Sequence, residues 1–491
     1  MGAAAAFPAL RFAAGNVSEN PSWIRLLVAT AALLVIGVSA TVLGGERRKV
    51  RSTVVAAALI MLVSYGGLVQ TGLERILRSP MVAWSAMGVL ASATVILAWR
   101  AATASVVQGA VIFVATAMLV GPGGQAALEV LALRDQHYEI EPITLGRVRP
   151  DVVVVVTDTM GSMPVLAEQF GIDTAEFADA LGRAGFFVEG EAPTNYPWTY
   201  LSLASFLSLD YPKMGGEKVE PADVRRMYRM IGGDNLLAAS LKHAGYRYVH
   251  VEGGWSGSRC GWMVDICVRA PFVDDTLWPL IDNSIFRTSA ISAIGHAYTG
   301  AVRRQFELVP EILATARTDG RPTYVFVHMM LPHPPLYFGE SCEFKPDSRL
   351  GFVPSFNEGE VDYEDRLAAY GAQVRCLQHF LESLFSGWPL TDPTLVLVTG
   401  DHGVHRGEAT LAAKDWRLSN TLQVLTTTRL VRGSCHALED GGSLVNEGRR
   451  ILRCLGAELP DVVDRYFAVD PGPYPRQVRQ LPDTELPPGW T

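Results

Sequence analysis

The stretch Val396-Leu397-Val398-Thr399-Gly400-Asp401-His402-Gly403 decides the fold prediction. It begins with a short apolar run without alternation, which is typical of a strand covered on both faces of a sheet. The run ends at Gly400, and a carboxylate and an imidazole follow at once. Ligands of open α/β sheets bind beyond the carboxyl ends of the strands, and Asp and neutral His are common ligands of divalent metals. Asp401 and His402 are therefore candidate metal ligands, and an ordinary surface turn is the alternative.

A second apolar run, Asp151 to Asp158, is the most β-prone part of the chain and ends in the same way. It delivers Asp158 at the carboxyl end of a predicted buried strand. Two such strands, far apart in the sequence, predict one shared site at a single edge of the sheet.

Strand and helix patterns alternate through the rest of the chain, which predicts an α/β domain with helices on the faces of its sheet. The predicted strands are Val152–Thr157, Phe186–Glu189, Arg247–Glu252, Thr323–His328, Thr394–Thr399 and Leu422–Thr427. The predicted helices are Thr174–Ala184, Asn235–His243 with Asp234 as its cap, and Tyr363–Phe385. The proline-rich tail from Asp470 is expected to wrap the surface.

The N-terminal part is unusually apolar, and it accounts for a mean hydropathy of +0.18 over 491 residues. Four stretches come close to the length of about 20 residues that crosses a bilayer: Trp23–Leu43, Thr53–Leu68, Met81–Ala98 and Ala102–Val120. We therefore predict an N-terminal segment (1–22) without a cleaved signal, a helical membrane anchor of about four spans (23–121), a linker (122–148) and an outer domain (149–491).

The loop between the first two stretches, Glu46 to Arg51, is net basic, which places it in the cytoplasm by the positive-inside rule. Four spans then place both termini and everything after about Gly121 outside the cytoplasm. The protein is thus expected to be an integral membrane protein with an extracytoplasmic catalytic domain. A net charge of −8 and the lack of a basic patch argue against a nucleic-acid partner.

Cysteine usage agrees with an oxidising compartment, because all six cysteines fall in the predicted outer domain. The sequence leaves 15 connectivities open. Free buried thiols are the alternative to bridges. Pairing of neighbours is the simplest arrangement: Cys260–Cys267, Cys342–Cys376 and Cys435–Cys454.

Two further residues are candidates for chemistry. Thr199 stands at a predicted helix start, where free N–H groups suit a phosphate or sulfate, and a metal-bound hydroxyl there can act as a nucleophile. A plain N-cap role is the alternative for Thr199. His333 follows a strand among prolines and can bind a substrate anion or donate a proton, unless it merely fills a turn.

Together, Asp158, Thr199, His333 in Leu-Pro-His-Pro-Pro, and Gly-Asp401-His402-Gly resemble the alkaline phosphatase superfamily over about residues 150 to 430. The closer similarity is to its membrane-anchored, sulfatase-like branch, which includes lipoteichoic acid synthases and phosphoethanolamine transferases. The resemblance implies one divalent ion, zinc or manganese with magnesium as the alternative, bound by Asp158, Thr199, Asp401 and His402. It also implies that Thr199 is the covalent nucleophile and that His333 contacts the substrate.

The sequence departs from true sulfatases, which carry Cys or Ser at the nucleophile and paired acids after the first strand. Here Thr199 cannot become formylglycine, and Thr159 follows Asp158, which fits a one-metal phosphotransferase better. His405 stands in a segment that lacks the usual Glu, and it is a candidate substrate contact. Trp198 is another, and core packing is the alternative for it and for its aromatic neighbour Tyr196.

The resemblance implies transfer of a substituted phosphate, of phosphoglycerol or phosphoethanolamine type, from a membrane phospholipid to an envelope glycan or lipid. Two alternatives stay open at this point: a hydrolase that uses water as acceptor, and a membrane scaffold without activity. The sequence does not identify the donor, the acceptor, the metal or the oligomeric state.

The topology has a direct test. A reporter that is active only outside the cytoplasm, fused at Thr491, is expected to be active, because four spans that start outside also end outside. An inactive fusion at normal expression contradicts the topology, and the disulfide prediction with it.

Overall fold

The computed structural model describes residues 1–15, 22–43, 49–77, 80–101, 114–117, 119–124, 139–269, 277–316, 320–345, 363–387, 394–404, 425–433, 435–439, 441–470, 474–487 and 490. The chain divides into two compact units. The first comprises Met1–Gln136 and Phe272–Ile294, and the second comprises His137–Pro271 and Gly295–Thr491.

The first unit is helical, as predicted. Its helices are α1 (Gly2–Gly15), α2 (Trp23–Leu43), α3 (Lys49–Leu77) and α4 (Pro80–Ala101). The segment that returns to this unit pairs with α3, because the Gly67 amide donates to Asn283 O at 2.9 Å and the Ile285 amide donates to Val63 O at 3.0 Å.

Among the described residues, one helix, Val50–Gln70, is long and apolar enough to cross a bilayer. Shorter apolar helices cover Trp23–Ser39, Ser85–Arg100 and Val114–Gly124. Most of the fourth predicted span lies outside the described residues. The helical N-terminal region is thus confirmed, and an anchor of four spans stays a prediction.

Among the residues that the structure describes, the second unit contains ten strands. They are β1 (Asp151–Asp158), β2 (Phe187–Pro193), β3 (Lys218–Val219), β4 (Arg247–Val251), β5 (Ile266–Val268), β6 (Thr323–Pro332), β7 (Thr394–Gly400), β8 (Thr426–Arg432), β9 (Phe467–Val469) and β10 (Arg476–Gln480). Seven of them form one sheet in the order β2-β8-β7-β1-β6-β4-β5, and β3, β10 and β9 form a small second sheet. In the large sheet only β8 runs against its neighbours.

Helices cover both faces of the large sheet, which confirms the α/β prediction. The helices of this unit are α5 (Met163–Phe170), α6 (Ala175–Arg183), α7 (Thr199–Ser208), α8 (Pro221–Ile231), α9 (Leu236–His243), α11 (Arg287–Ala316, which begins in the first unit), α12 (Tyr363–Gly387) and α13 (Leu444–Cys454), whereas α10 (Trp278–Asp282) belongs to the first unit. The central strand β1 contributes to both cores, since Val152, Val154 and Val156 enter one apolar cluster and Val153 and Val155 the other. A strand buried on both faces needs an unbroken apolar run, which is what its valines supply.

Several details differ from the sequence-based predictions. The last strand of the sheet runs from Thr426 to Arg432, so the predicted range Leu422–Thr427 was placed too early. The cap of α9 is Asn235, whose side chain accepts from Ala238 N at 2.8 Å, and not Asp234. The tail after Asp470 is not only a surface wrap, because it supplies β10 to the small sheet.

All six cysteines form disulfides, with the pairing that the sequence favoured as simplest. The bridges are Cys260–Cys267, Cys342–Cys376 and Cys435–Cys454. The alternative of free buried thiols is therefore wrong.

A buried ion network fixes the antiparallel strand β8. Arg429 is fully buried, and its Nη1 lies 2.9 Å from both Glu189 Oε2 and Glu447 Oε1. Arg450 continues the network, since it donates to Glu447 at 3.1 Å and to Asp461 at 2.9 Å. Burial raises the pKa of Glu447 to about 7, although the two arginines lower it. The network ties β2, β8 and α13 together.

This network predicts a pH dependence of stability. Between about pH 4.5 and 7 the folded state holds a proton on Glu447 that the unfolded state has lost, so stability falls as pH rises through that window. The rise of the Glu447 pKa from its usual 4.5 to about 7 corresponds to about 3 kcal/mol of folding stability. Glu447→Gln should remove this part of the slope, which unfolding in urea at pH 5 and pH 8 measures. Equal slopes in both proteins would contradict the assignment.

Candidate active site

The two acidic strand ends predicted to share a site do meet at one edge of the sheet. Strands β1 and β7 are adjacent and parallel, with Thr157 paired with Gly400. Asp158 ends β1, and Asp401 and His402 follow β7 directly. Because parallel strands end at the same edge, this register brings the three side chains together.

The three side chains form a compact buried cluster. His402 Nε2 lies 3.6 Å from Asp401 Oδ2 and 3.9 Å from Asp158 Oδ1. One ligand atom from each residue lies within 4.8 Å of the other two. All three residues are at most 3% exposed, so water screens their charges poorly.

Hydrogen bonds orient the cluster and leave its inner atoms available. Asp401 Oδ1 accepts from the amides of Thr159 at 3.1 Å and His402 at 2.8 Å. His402 Nδ1 donates to Gly403 O at 2.8 Å, which leaves the lone pair on Nε2. Asp158 Oδ1 and Asp401 Oδ2 have no hydrogen-bond partner among the described residues. Two orphaned carboxylate oxygens beside an unprotonated imidazole nitrogen fit a divalent metal ion.

The electrostatics agree with that fit. Burial raises the pKa of Asp158 well above its usual range, and the charge of Asp401 raises it further. Burial also raises the pKa of Asp401, and it lowers that of His402 to about 4. A neutral imidazole is the form that binds metals, and a cation favours the ionised carboxylates that burial disfavours.

Thr199 joins this cluster from the start of α7. Its Oγ1 lies 3.3 Å from His402 Nε2. The N-cap of α7 is Trp198, and Thr199 is the first helical residue, so the plain N-cap alternative is wrong. One turn later Ser202 Oγ donates to the carbonyl oxygen of Asp401, which fixes the helix against the end of β7.

The remaining residues that were predicted to contact the substrate differ in their surroundings. His333 is half-buried on the loop after β6, with Nδ1 2.7 Å from Pro334 O, and burial lowers its pKa. The ring of Trp198 is partly buried, and the Arg476 guanidinium lies 4.6 Å from its centroid. Tyr196 is fully buried, which is the core-packing alternative. His405 lies outside the described residues.

One residue near the cluster was missed by the sequence reasoning. His328 on β6 is fully buried, and its Nε2 lies 3.8 Å from Asp158 Oδ2. Neither ring nitrogen has a hydrogen-bond partner among the described residues. The only sequence signal was an imidazole within an apolar strand. Gly253 lies against the backbone of the same residue, because a Cβ at position 253 would lie 2.5 Å from the His328 carbonyl oxygen.

The sequence profile of the sulfatase family matches residues 150–432, more than half of the chain. The chain belongs to the sulfatase family. A search of curated proteins gave no significant match.

Solved structures similar to this sulfatase-family chain include the periplasmic domain of EcEptC from Escherichia coli. That domain has 13% identity and a TM-score of 0.44, with 72% of this chain and 98% of that chain covered. Its zinc complex has 13% identity and a TM-score of 0.41, with 65% and 87% covered. The integral membrane lipooligosaccharide phosphoethanolamine transferase A from Neisseria meningitidis has 15% identity and a TM-score of 0.40, with 93% and 96% covered.

Membership in the sulfatase family confirms the resemblance to the alkaline phosphatase superfamily and makes the chain an enzyme of that superfamily. The scaffold alternative is thereby set aside. The individual roles of Thr199, His333 and the metal-binding residues stay predictions.

The buried carboxylate pair of this sulfatase-family protein predicts that wild type and an Asp158→Asn variant change their order of stability when metal is added. Without metal at pH 8, Asp158→Asn should melt at a higher temperature than the wild type. The reason is that the raised pKa of Asp158 makes ionisation costly in the folded state as pH rises, and Asn does not ionise.

With saturating zinc the order should invert, because wild-type protein gains about 2.7 kcal/mol at roughly 100 times the dissociation constant. Melting curves of both proteins with chelator and with zinc make the comparison. A variant that is less stable than wild type under both conditions would contradict the metal assignment.

Proposed function

We propose that the protein transfers a substituted phosphate, of phosphoglycerol or phosphoethanolamine type, from a membrane phospholipid to an envelope glycan or lipid. The observation that carries the proposal is the Thr199 hydroxyl, 3.3 Å from His402 Nε2 within the buried Asp158–Asp401–His402 cluster. An alcohol placed among metal-binding groups at a helix start suits attack on a phosphorus atom.

Asp158, Thr199, Asp401 and His402 would hold one divalent ion, with zinc or manganese as first candidates and magnesium as the alternative. The two carboxylates and the neutral imidazole provide the donor set. When bound, such an ion lowers the pKa of the Thr199 hydroxyl and offsets the negative charge that builds on the phosphoryl oxygens.

The first step transfers the group to the enzyme. Thr199 Oγ1 attacks the phosphorus atom of a phosphodiester, the Thr199–phosphorus bond forms, and the bond from phosphorus to the diacylglycerol oxygen breaks. The leaving oxygen takes up the proton that Thr199 gives up. The substituted phosphate then stays on Thr199 as an ester.

The second step passes the group to an acceptor hydroxyl, whose oxygen attacks the same phosphorus atom while the Thr199–phosphorus bond breaks. A proton moves from the acceptor to the Thr199 oxygen. His333 is suited to carry protons in both steps, because its Nδ1 is bonded to Pro334 O and its lowered pKa leaves Nε2 unprotonated.

The location of the substrates follows from the rest of the chain. The apolar helix Val50–Gln70 supports anchoring in a membrane, and the three disulfides support an extracytoplasmic domain. An anchored site stays close to lipid donors. Trp198 and His405 are proposed contacts of the substrate, and Trp198 is half-buried beside the nucleophile.

Membership in the sulfatase family also favours a second candidate, a hydrolase that uses water in the second step. Both reactions share the ester on Thr199. Product analysis with a lipid donor, with and without an added glycan acceptor, separates transfer from hydrolysis.

Thr199 gives the decisive test of either reaction. Thr199→Ala should abolish turnover of an assayable phosphodiester with little change in melting temperature, because Thr199 does not cap α7. Thr199→Ser keeps the hydroxyl and should retain some rate. Trapped ester on Thr199, detected by peptide mass spectrometry, should vanish in the Ala variant.

Two matched variants divide the roles. Asp401→Ala should lose bound metal, whereas His333→Ala should keep it and lose about 100-fold or more in turnover. Metal content and turnover are measured on the same preparations. Normal turnover by Thr199→Ala would end the nucleophile assignment and the transfer mechanism with it.

A further inference from the structure

The loop that follows β1, Thr159 to Ser162, carries the backbone between the candidate metal ligand Asp158 and helix α5. Thr159 has φ +60, a left-handed conformation that is rare for a β-branched residue. Such a conformation persists only where the surroundings hold it in place. The contacts of this loop therefore bear on the geometry of the site.

Tyr370 on α12 holds the first half of the loop. Its hydroxyl donates to Thr159 O at 2.8 Å and accepts from Gly161 N at 3.3 Å. Tyr370 is fully buried, and its ring lies 4.6 Å from that of Phe170. The hydroxyl thus has a fixed position and serves two backbone groups of one turn.

Three successive threonines at the start of β8 hold the same loop from the other side. Thr427 Oγ1 donates to Met160 O at 2.7 Å, and Thr428 Oγ1 donates to Gly161 O at 3.2 Å. Thr426 Oγ1 donates to Ser162 Oγ at 3.1 Å. All three threonines are at most 4% exposed, so these bonds have little competition from water.

Thr427 also touches the end of the neighbouring strand. A Cβ added at Gly400, the residue before Asp401, would lie 2.0 Å from Thr427 Oγ1 and 3.2 Å from Met160 Cβ. Glycine at 400 therefore allows Thr427 to lie against the ends of both β1 and β7. The hydroxyl sits between the two segments that carry Asp158 and Asp401.

The loop in turn orients a candidate metal ligand, because the Thr159 amide donates to Asp401 Oδ1 at 3.1 Å. Together with the His402 amide, which donates to the same oxygen at 2.8 Å, this bond holds Oδ1 so that Oδ2 faces His402 Nε2, 3.6 Å away. A loop held at Thr159 O and Met160 O fixes the direction of the Thr159 amide. Hydrogen bonds to the groups around a metal ligand are known to set affinity.

We propose that Thr427 and Tyr370 are positioning residues that set the metal affinity of the site through the loop Thr159–Ser162. This inference rests on the metal-binding part of the proposed function. Neither hydroxyl needs to touch the ion or the substrate. Each acts by holding the Thr159 amide against Asp401.

The test compares zinc affinity of full-length variants, measured by competition with a chelator of known affinity. Thr427→Val removes the hydroxyl at nearly constant shape, and zinc affinity should fall about tenfold or more. Thr427→Ser restores the hydroxyl and should restore affinity. Tyr370→Phe removes the second anchor by a separate route and should weaken zinc binding to a similar extent.

Ser240→Ala is the matched control. Ser240 is fully buried on α9, where its hydroxyl donates to Leu236 O at 2.7 Å and accepts from Ile143 N at 2.9 Å. The Ala variant therefore loses comparable hydrogen bonds at a place away from the loop. It should lower the melting temperature without changing zinc affinity.

Wild-type affinity in both Thr427→Val and Tyr370→Phe, or equal affinity losses in Ser240→Ala, would overturn the positioning role while leaving the metal site intact. Wild-type protein that binds no zinc would overturn the metal site itself and this inference with it. The two failures are therefore distinguishable.

Discussion

The constraint on which the site depends is the close approach of two buried carboxylates, Asp158 and Asp401, at the ends of adjacent parallel strands. Burial raises the pKa values of both carboxyls, and the charge of Asp401 raises that of Asp158 further. His328 lowers the pKa of Asp401 without cancelling the effect of burial, and burial lowers the pKa values of His402 and His328 themselves to about 4. A cation held by these residues would offset the cost of burying two carboxylates so close together.

The antiparallel strand β8 links this site to the rest of the domain. Its first residues contact the loop after β1, and Arg429 on the same strand forms ion pairs with Glu189 and Glu447. A slip of one residue would move Thr427 to the other face of the sheet and leave Arg429 buried without its carboxylates. The register that satisfies the buried charge is thus the register that places the Thr427 hydroxyl beside Gly400.

The sequence predicted the parts of the site that are local. Asp158, Asp401 and His402 stand at the ends of apolar runs, and Thr199 stands at a helix start, so each carries its own signal. The residues that support them do not, because the partners of Tyr370 and Thr427 lie more than 200 residues away. The sheet register decides those contacts, and the last strand was predicted too early. The return of Phe272–Ile294 to the helical unit likewise depends on pairing that no local pattern indicates.

Helix α7 starts without a side-chain cap next to Thr199, the proposed nucleophile. Its N-cap, Trp198, makes no side-chain capping bond, although Ser, Thr, Asp or Asn would be favoured there. Thr199 stands one position later, with its hydroxyl beside His402 instead of on the helix backbone. The first turn of α7 is held in place by Ser202 instead, whose hydroxyl donates to the Asp401 carbonyl oxygen. A helix start without a side-chain cap, beside a cluster that fits a divalent cation, suits an anion such as the phosphoryl group of the proposed substrate.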